Sequence, residues 1–147
     1  MRTIQSGNFR KSLFYFTVIL FAIFFLQACS KKLAFTTSTV VPAAKGSVKV
    51  KDDDNNNYKI ELSIIRLAEP KRLNPPKNTY VVWMETKQNG IKNIGQLKTS
   101  SGLFSKTLKS SLETVTSFKP VSFFITAEDN ANIQYPSDQV VLRTEHF

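Results

Sequence analysis

The stretch TYVVWMETKQNGIKNIGQLK, residues 79–98, decides the fold. Thr79 to Thr86 is an apolar, β-prone run, the pattern of a strand buried on both faces or nearly so, with Tyr80 and Trp83 as its bulky core residues. A reversal follows at once, because KQNG ends in Asn89-Gly90, the dipeptide favoured by a tight type I′ hairpin turn. IKNIGQLK, residues 91–98, is then the antiparallel partner strand.

Working outward, the same style repeats. Val48 and Val50 alternate with Lys49 and Lys51, the period-2 pattern of a half-buried strand. DDDNNN, Asp52 to Asn57, is a turn, since Asp and Asn bond their own backbone and tolerate left-handed conformations. YKIELSIIRLA then sets Tyr58, Ile60, Leu62 and Ile64 against Lys59, Glu61 and Ser63. The phase slips before Leu67, which predicts a β-bulge near Ile64-Ile65. The three prolines of EPKRLNPPKN exclude a central strand there.

Downstream of residue 98, SSG breaks the chain before LFSKTLKSS. Residues 105–118 are the one place where a helix competes, and their Ser/Thr richness argues against it. In PVSFFITAED, Val121, Phe123, Ile125 and Ala127 alternate with Ser122, Thr126 and Glu128. NANIQYPSD loops back and QVVLRT closes the chain. The expectation is an all-β domain, an antiparallel immunoglobulin-like Greek-key sandwich of about seven strands. With one cysteine in the chain, its core does without a disulfide and rests on Trp83, Tyr80, Phe123, Phe124 and the Ile/Val set.

The N-terminus reads differently. Residues 1–12 carry Arg2, Arg10 and Lys11 and no acid, and Leu13 to Leu26 is apolar except for Thr17. That run is short of the roughly 20 residues a spanning helix needs. A basic start, an apolar middle and small residues before a cut form a secretory signal. A membrane anchor that is never cleaved is the alternative, and the sequence that follows, Leu26-Gln27-Ala28-Cys29, separates the two. LQAC resembles the lipobox of bacterial lipoproteins, with an aliphatic residue at Leu26, a small one at Ala28 and then the cysteine; Gln27 is a less usual occupant of its position.

The lipobox resemblance implies a diacylglycerol on the Cys29 sulfur, cleavage before Cys29 and acylation of the freed amine. Lipidation also accounts for a lone cysteine in an exported chain, which could pair with nothing. The chain then divides into a helical signal segment 1–28, the acylated Cys29 with a flexible tether to residue 45, and the sandwich domain 46–147. Part of the tether, Phe35 to Val41, is alternatively a first strand. Lys31 and Lys32 would lie at the lipid headgroups. An Asp after the acylated Cys retains lipoproteins at the inner membrane. Ser30 stands there instead, which implies an outer-membrane location facing the periplasm, and Lys31-Lys32 is not the acidic run that marks surface export in some lineages.

The signal holds three of the 20 basic residues and none of the 11 acidic ones, leaving a net charge of +6 over 119 residues. The lysines are scattered, with Lys45, Lys49, Lys51 and Lys59 on solvated strand faces, which argues against a nucleic-acid partner and suits an affinity for anionic envelope polymers.

A second resemblance lies in the mature part. The succession YVVW (Tyr80 to Trp83), Ile94-Gly95, then Thr126, Glu128, Pro136 and Val140 to Leu142 resembles the extracytoplasmic C-terminal domain of anti-sigma-K-type factors, over residues 46–142. The chain departs from that pattern at Asn130-Ala131-Asn132, where the family has a double glycine, and it lacks the family's sigma-binding segment. The resemblance therefore implies a β-sandwich rather than anti-sigma activity.

Candidate chemistry is sparse. His146 is the only histidine and sits one residue from the C-terminus, which argues against triads, His-based metal sites and a cupredoxin-type copper centre. Asp52–Asn57 lacks the glycine and distal Glu of a hand-type calcium loop, so a polar turn is the reading and a weak calcium site its alternative. Glu128-Asp129 is an acidic pair in a loop, read as turn chemistry rather than a glycosidase pair. Tyr58, Tyr80, Tyr135 and Trp83 fit core packing better than a sugar platform.

No catalytic or metal residue is assigned, and the covalent lipid on Cys29 is the only non-protein group expected. The functional expectation is a non-catalytic, membrane-anchored envelope lipoprotein, its sandwich a structural or protein-interaction module with an envelope protein or polymer as partner. The alternative is an extracytoplasmic sensor or ligand-binding accessory of a sigma/anti-sigma-type system.

Overall fold

Strands of alternating or wholly apolar residues bury themselves only by pairing and stacking, and the computed structural model of the protein, which describes residues 11, 14–16, 30–102 and 105–147, shows them doing so. In chain order they are β1 (Ser30–Ala34), β2 (Lys45–Asp52), β3 (Tyr58–Ile65), β4 (Thr79–Thr86), β5 (Gly90–Gln96), β6 (Lys98–Gly102), β7 (Ser105–Thr116), β8 (Pro120–Glu128) and β9 (Val140–Arg143). One sheet has the order β1-β2-β3-β7-β6 and the other β5-β4-β8-β9, with every pairing antiparallel. Because β3 bonds to β7, the connections cross between sheets in Greek-key fashion, and the all-β sandwich expected from the sequence is the observed fold. Lys11 and Phe14–Phe16 are helical and exposed. No helix of the described residues is long and apolar enough to cross a membrane.

Among the described residues there are nine strands rather than about seven, for two reasons. First, the segment read as a flexible tether is part of the fold. Ser30–Ala34 pairs with Lys51–Ser47 along its whole length, Phe35 bridges Thr144, and Thr36 N–H bonds the Arg143 carbonyl at 2.8 Å. Leu33 and Phe35 pack on the core, while Val41 and Ala44 are buried within it. An edge strand needs only every second residue to be apolar, so the Thr/Ser content does not prevent it.

Second, residues 91–98 do not form one strand. Val82 faces Gly95 but Trp83 faces Asn93, so Ile94 is an extra residue, and Gly95 takes a φ of 128°. The buried Leu97 donates its N–H to the Tyr80 carbonyl, and the chain then crosses to the other sheet as β6.

Other local expectations change as well. The KQNG reversal is not type I′, which needs positive φ at both central residues. Only Gly90 is left-handed (φ 67°), Asn89 is not, and Thr86 pairs with Gly90 around a three-residue loop. The expected bulge at Ile64-Ile65 is absent, because both ladders of β3 run without a shift through Ile65. The phase slip comes from Arg66, left-handed at φ 57°, which ends the strand and turns Leu67 inward. SSG, residues 100–102, lies inside β6 instead of breaking the chain, whereas residues 105–116 form the strand β7, in keeping with the Ser/Thr content that argued against a helix.

The main core fills the space between the sheets, with Val48, Val50, Ile60, Leu62 and Ile64 on one side and Tyr80, Val82, Met84, Phe123 and Ile125 on the other. A second, smaller cluster of Val81, Trp83 and Phe124 lies on the outer face of the four-stranded sheet, where Ala131, Ile133 and Val140 pack against it. The strand read as buried on both faces is so buried, but Trp83 belongs to the outer cluster, not to the sandwich interior.

The two left-handed glycines predict different sensitivities. Gly90→Ala meets nothing within 4 Å and carries only the left-handed penalty, about 1 kcal/mol. Gly95→Ala adds a contact at 3.2 Å with Leu112 Cδ1 and is expected to cost about 2–3 kcal/mol by urea unfolding.

Candidate functional site

Cys29, with Leu26, Gln27 and Ala28, lies outside the described residues. Its neighbour Ser30 opens β1 opposite Lys51, at the end of the sandwich that carries the β2–β3 turn. Lys31, Lys119, Pro120 and Phe147 gather at the same end around a hollow of about 400 Å³. The Lys31 ammonium stands 4.6 Å from the centre of the Phe147 ring, which itself stacks on Phe123 at 6.1 Å. A second hollow of about 600 Å³, lined by Glu85, Ile91, Val121 and His146, shares Phe147.

The polar cluster beside that second hollow was not visible in the sequence. Glu85 on β4 accepts a hydrogen bond from the Ser122 hydroxyl on β8, and Arg143 Nη1 on β9 reaches its Oε1 at 3.0 Å. His146 Nε2 lies 3.4 Å from the other carboxylate oxygen. Burial pushes the Glu85 carboxyl up, but the hydrogen bonds from Ser122 and Arg143 and the charges of Arg143 and His146 outweigh it and hold the group below the usual range. A relay that activates a serine needs the imidazole between hydroxyl and carboxylate. Here the carboxylate is in the middle and receives both partners, so the arrangement clamps the C-terminal segment to β4 and β8. Arg143 completes the clamp by lying 4.6 Å from the centre of the Phe124 ring.

A second polar chain secures the loop over the outer cluster. Trp83 Nε1 donates to Thr126 Oγ1 at 2.8 Å, Thr126 donates to Glu128, and the Ser137 N–H donates to the same Glu128 oxygen at 2.9 Å. Asn93 Nδ2 bonds the carbonyls of Ala131 and Ile133, both at 2.9 Å. The loop from 129 to 139 is thereby fixed over Trp83 and Phe124, which stack at 6.2 Å.

The other residues singled out from the sequence do not converge. Glu128 faces Thr126 and Ser137, whereas Asp129 pairs with Lys77 at 2.7 Å, so the two carboxylates serve separate partners. Asp53 bonds the N–H groups of Asn55 and Asn57 within its own turn, which holds its carboxyl below the usual value, chiefly through Asn57. Among the described residues, no group of three or more His, Cys, Asp and Glu is placed to hold a metal ion.

The four aromatics of a sugar platform are not assembled either. Trp83 is covered by the loop and Tyr58 packs on the main core, while Tyr135 stands 81% exposed. Tyr80 lies between the sheets with its hydroxyl donating to the Ala68 carbonyl at 2.9 Å, and burial pushes it up to about 12. Comparison with protein-family models, curated proteins and solved structures finds no match to this chain.

Two predictions follow from these clusters. The folded-state value of Glu85 is depressed, so its stabilisation is present at neutral pH and is lost as pH falls below about 4.3 and through the lowered value. Glu85→Gln is therefore expected to lower stability at pH 7 by about 1.5–3 kcal/mol and to flatten the acid limb of a plot of Tm against pH. Thr126→Val strands the buried Trp83 N–H and is expected to cost about 1–3 kcal/mol. Trp fluorescence during urea unfolding reads that loss.

Proposed function

We propose that the chain is a lipoprotein of the cell envelope, acylated at Cys29 after removal of residues 1–28, and that its β-sandwich serves as a non-catalytic structural or interaction module. One observation carries this reading. The lipobox-like LQAC ends a signal-like apolar run, and the first strand among the described residues opens at the very next residue, Ser30. Among the described residues, both hydrophobic clusters are drawn from residue 33 onward, on the far side of the cut from the signal. Ser30 behind the acylated cysteine favours the outer membrane, with the domain facing the periplasm. The polar clusters support the module reading, since Glu85 and Glu128 are both occupied in holding strands and loops together.

Metabolic labelling with palmitate tests the anchor. The wild-type chain is expected to incorporate label and to shift to the mass of the mature protein. Cys29→Ala is expected to incorporate none and to stay at precursor mass. A Cys29→Ala chain that still labels, or that is still cleaved and membrane-bound, overturns the reading.

A further inference from the structure

The outer face of the five-stranded sheet gathers lysines that the sequence scatters. Directly opposed residues of an antiparallel ladder share a face, and alternation sends Ile60, Leu62 and Ile64 inward. Outward, in the half of the sheet nearest Ser30, stand Lys32, Lys49, Lys51 and Lys59. In the other half stand Lys45, Lys98 and Lys109. The carboxylates placed among them by the ladder are Glu61 and Glu113, and Lys59 bonds both, at 3.1 and 2.6 Å. The other six lysines are exposed, and among the described residues none of them is in a salt bridge. The acidic residues Asp52 to Asp54 fall at the end of this hairpin, beyond the rows that hold the lysines.

We infer that this face lies against an anionic phospholipid bilayer, an inference that rests on the acylation of Cys29 for its orientation. Two features favour a membrane over a polymer strand. The lysines spread in two dimensions over five paired strands, roughly 19 Å wide at about 4.8 Å per strand, and a plane of charge complements a plane. A single polyanionic chain would call for a row or groove. The second feature is continuity with the anchor. Ser30 stands in the same cross-strand row as Lys51, Lys59 and the 60% exposed Val115, and the backbone leaves this row directly toward Cys29 with no tether between. An acyl chain inserted there holds the lysine face at the headgroups, within the screening length of about 8 Å in physiological salt.

Among the described residues, all nine strands and both cores lie within residues 30–147, and that segment, made without the acylation site, is expected to fold and to show any vesicle binding that does not depend on acylation. The soluble segment is titrated with vesicles of phosphatidylglycerol and phosphatidylcholine, and with phosphatidylcholine alone. Binding is expected only to the anionic vesicles and is expected to disappear at high salt. The triple variant Lys49→Gln, Lys51→Gln, Lys109→Gln should bind about 100-fold more weakly, at about fivefold for each lysine near an anionic surface. The matched triple Lys71→Gln, Arg72→Gln, Lys77→Gln, which removes the same charge at the opposite end of the sandwich, before β4, should bind as the wild type does. Equal losses in the two variants, a larger loss in the second, or tighter binding to soluble polyphosphate than to vesicles overturns the proposal. Loss of palmitate labelling at Cys29 with vesicle binding intact would overturn the anchor alone.

Discussion

The pairing of β4 with β8 is the constraint on which the remainder of the molecule depends, because neither strand has a face that tolerates water. Tyr80, Val82, Met84, Phe123 and Ile125 are buried against the opposite sheet. That leaves Val81, Trp83 and Phe124 on the reverse, and these require a cover. The loop between β8 and β9 supplies it, and the Trp83–Thr126–Glu128–Ser137 chain keeps the loop in place while giving the indole N–H and the Glu128 carboxylate their partners. A buried indole N–H or carboxylate without such partners would be expensive, so the apolar and polar parts of this face stand or fall together.

The same logic of shared partners closes the N- and C-terminal segments. β1 adds to one sheet through β2, then Phe35 and Thr36 reach the other through Thr144 and Arg143. Arg143 in turn is held by Glu85 and lies over Phe124, and Phe147 stacks on Phe123 under the Lys31 ammonium. The first residues after Cys29 and the last residues of the chain thus meet at one end of the sandwich. On the proposed acylation of Cys29, an anchor attached there would pass its position to the domain without slack and would set the relation of the lysine face to a membrane.

Much of the fold was legible in the sequence because burial writes itself as periodicity. The alternation in residues 58–64, the unbroken apolar run of β4 and the turn residues at 52–57 are each local signals, and each corresponds to an observed element. The misreadings share a cause. β1 was hidden because an edge strand carries few apolar residues, and the division of residues 91–98 depends on Gly95 and Leu97 being redirected by the neighbours Tyr80 and Leu112. Arg66 took a left-handed conformation that no residue preference foretells, so a strand end was mistaken for a bulge.

What the sequence determined by itself is the class of fold, since it rests on the order and polarity of neighbouring residues. What only the tertiary structure decided is which distant residues act together. Glu85, Ser122, Arg143 and His146 come from three strands and the C-terminal tail, and the lysine face draws on five strands separated by up to 77 positions between Lys32 and Lys109. The physical reason is that the register of a ladder, set by the burial of the opposite face, fixes which polar side chains become neighbours, and no local pattern encodes that register.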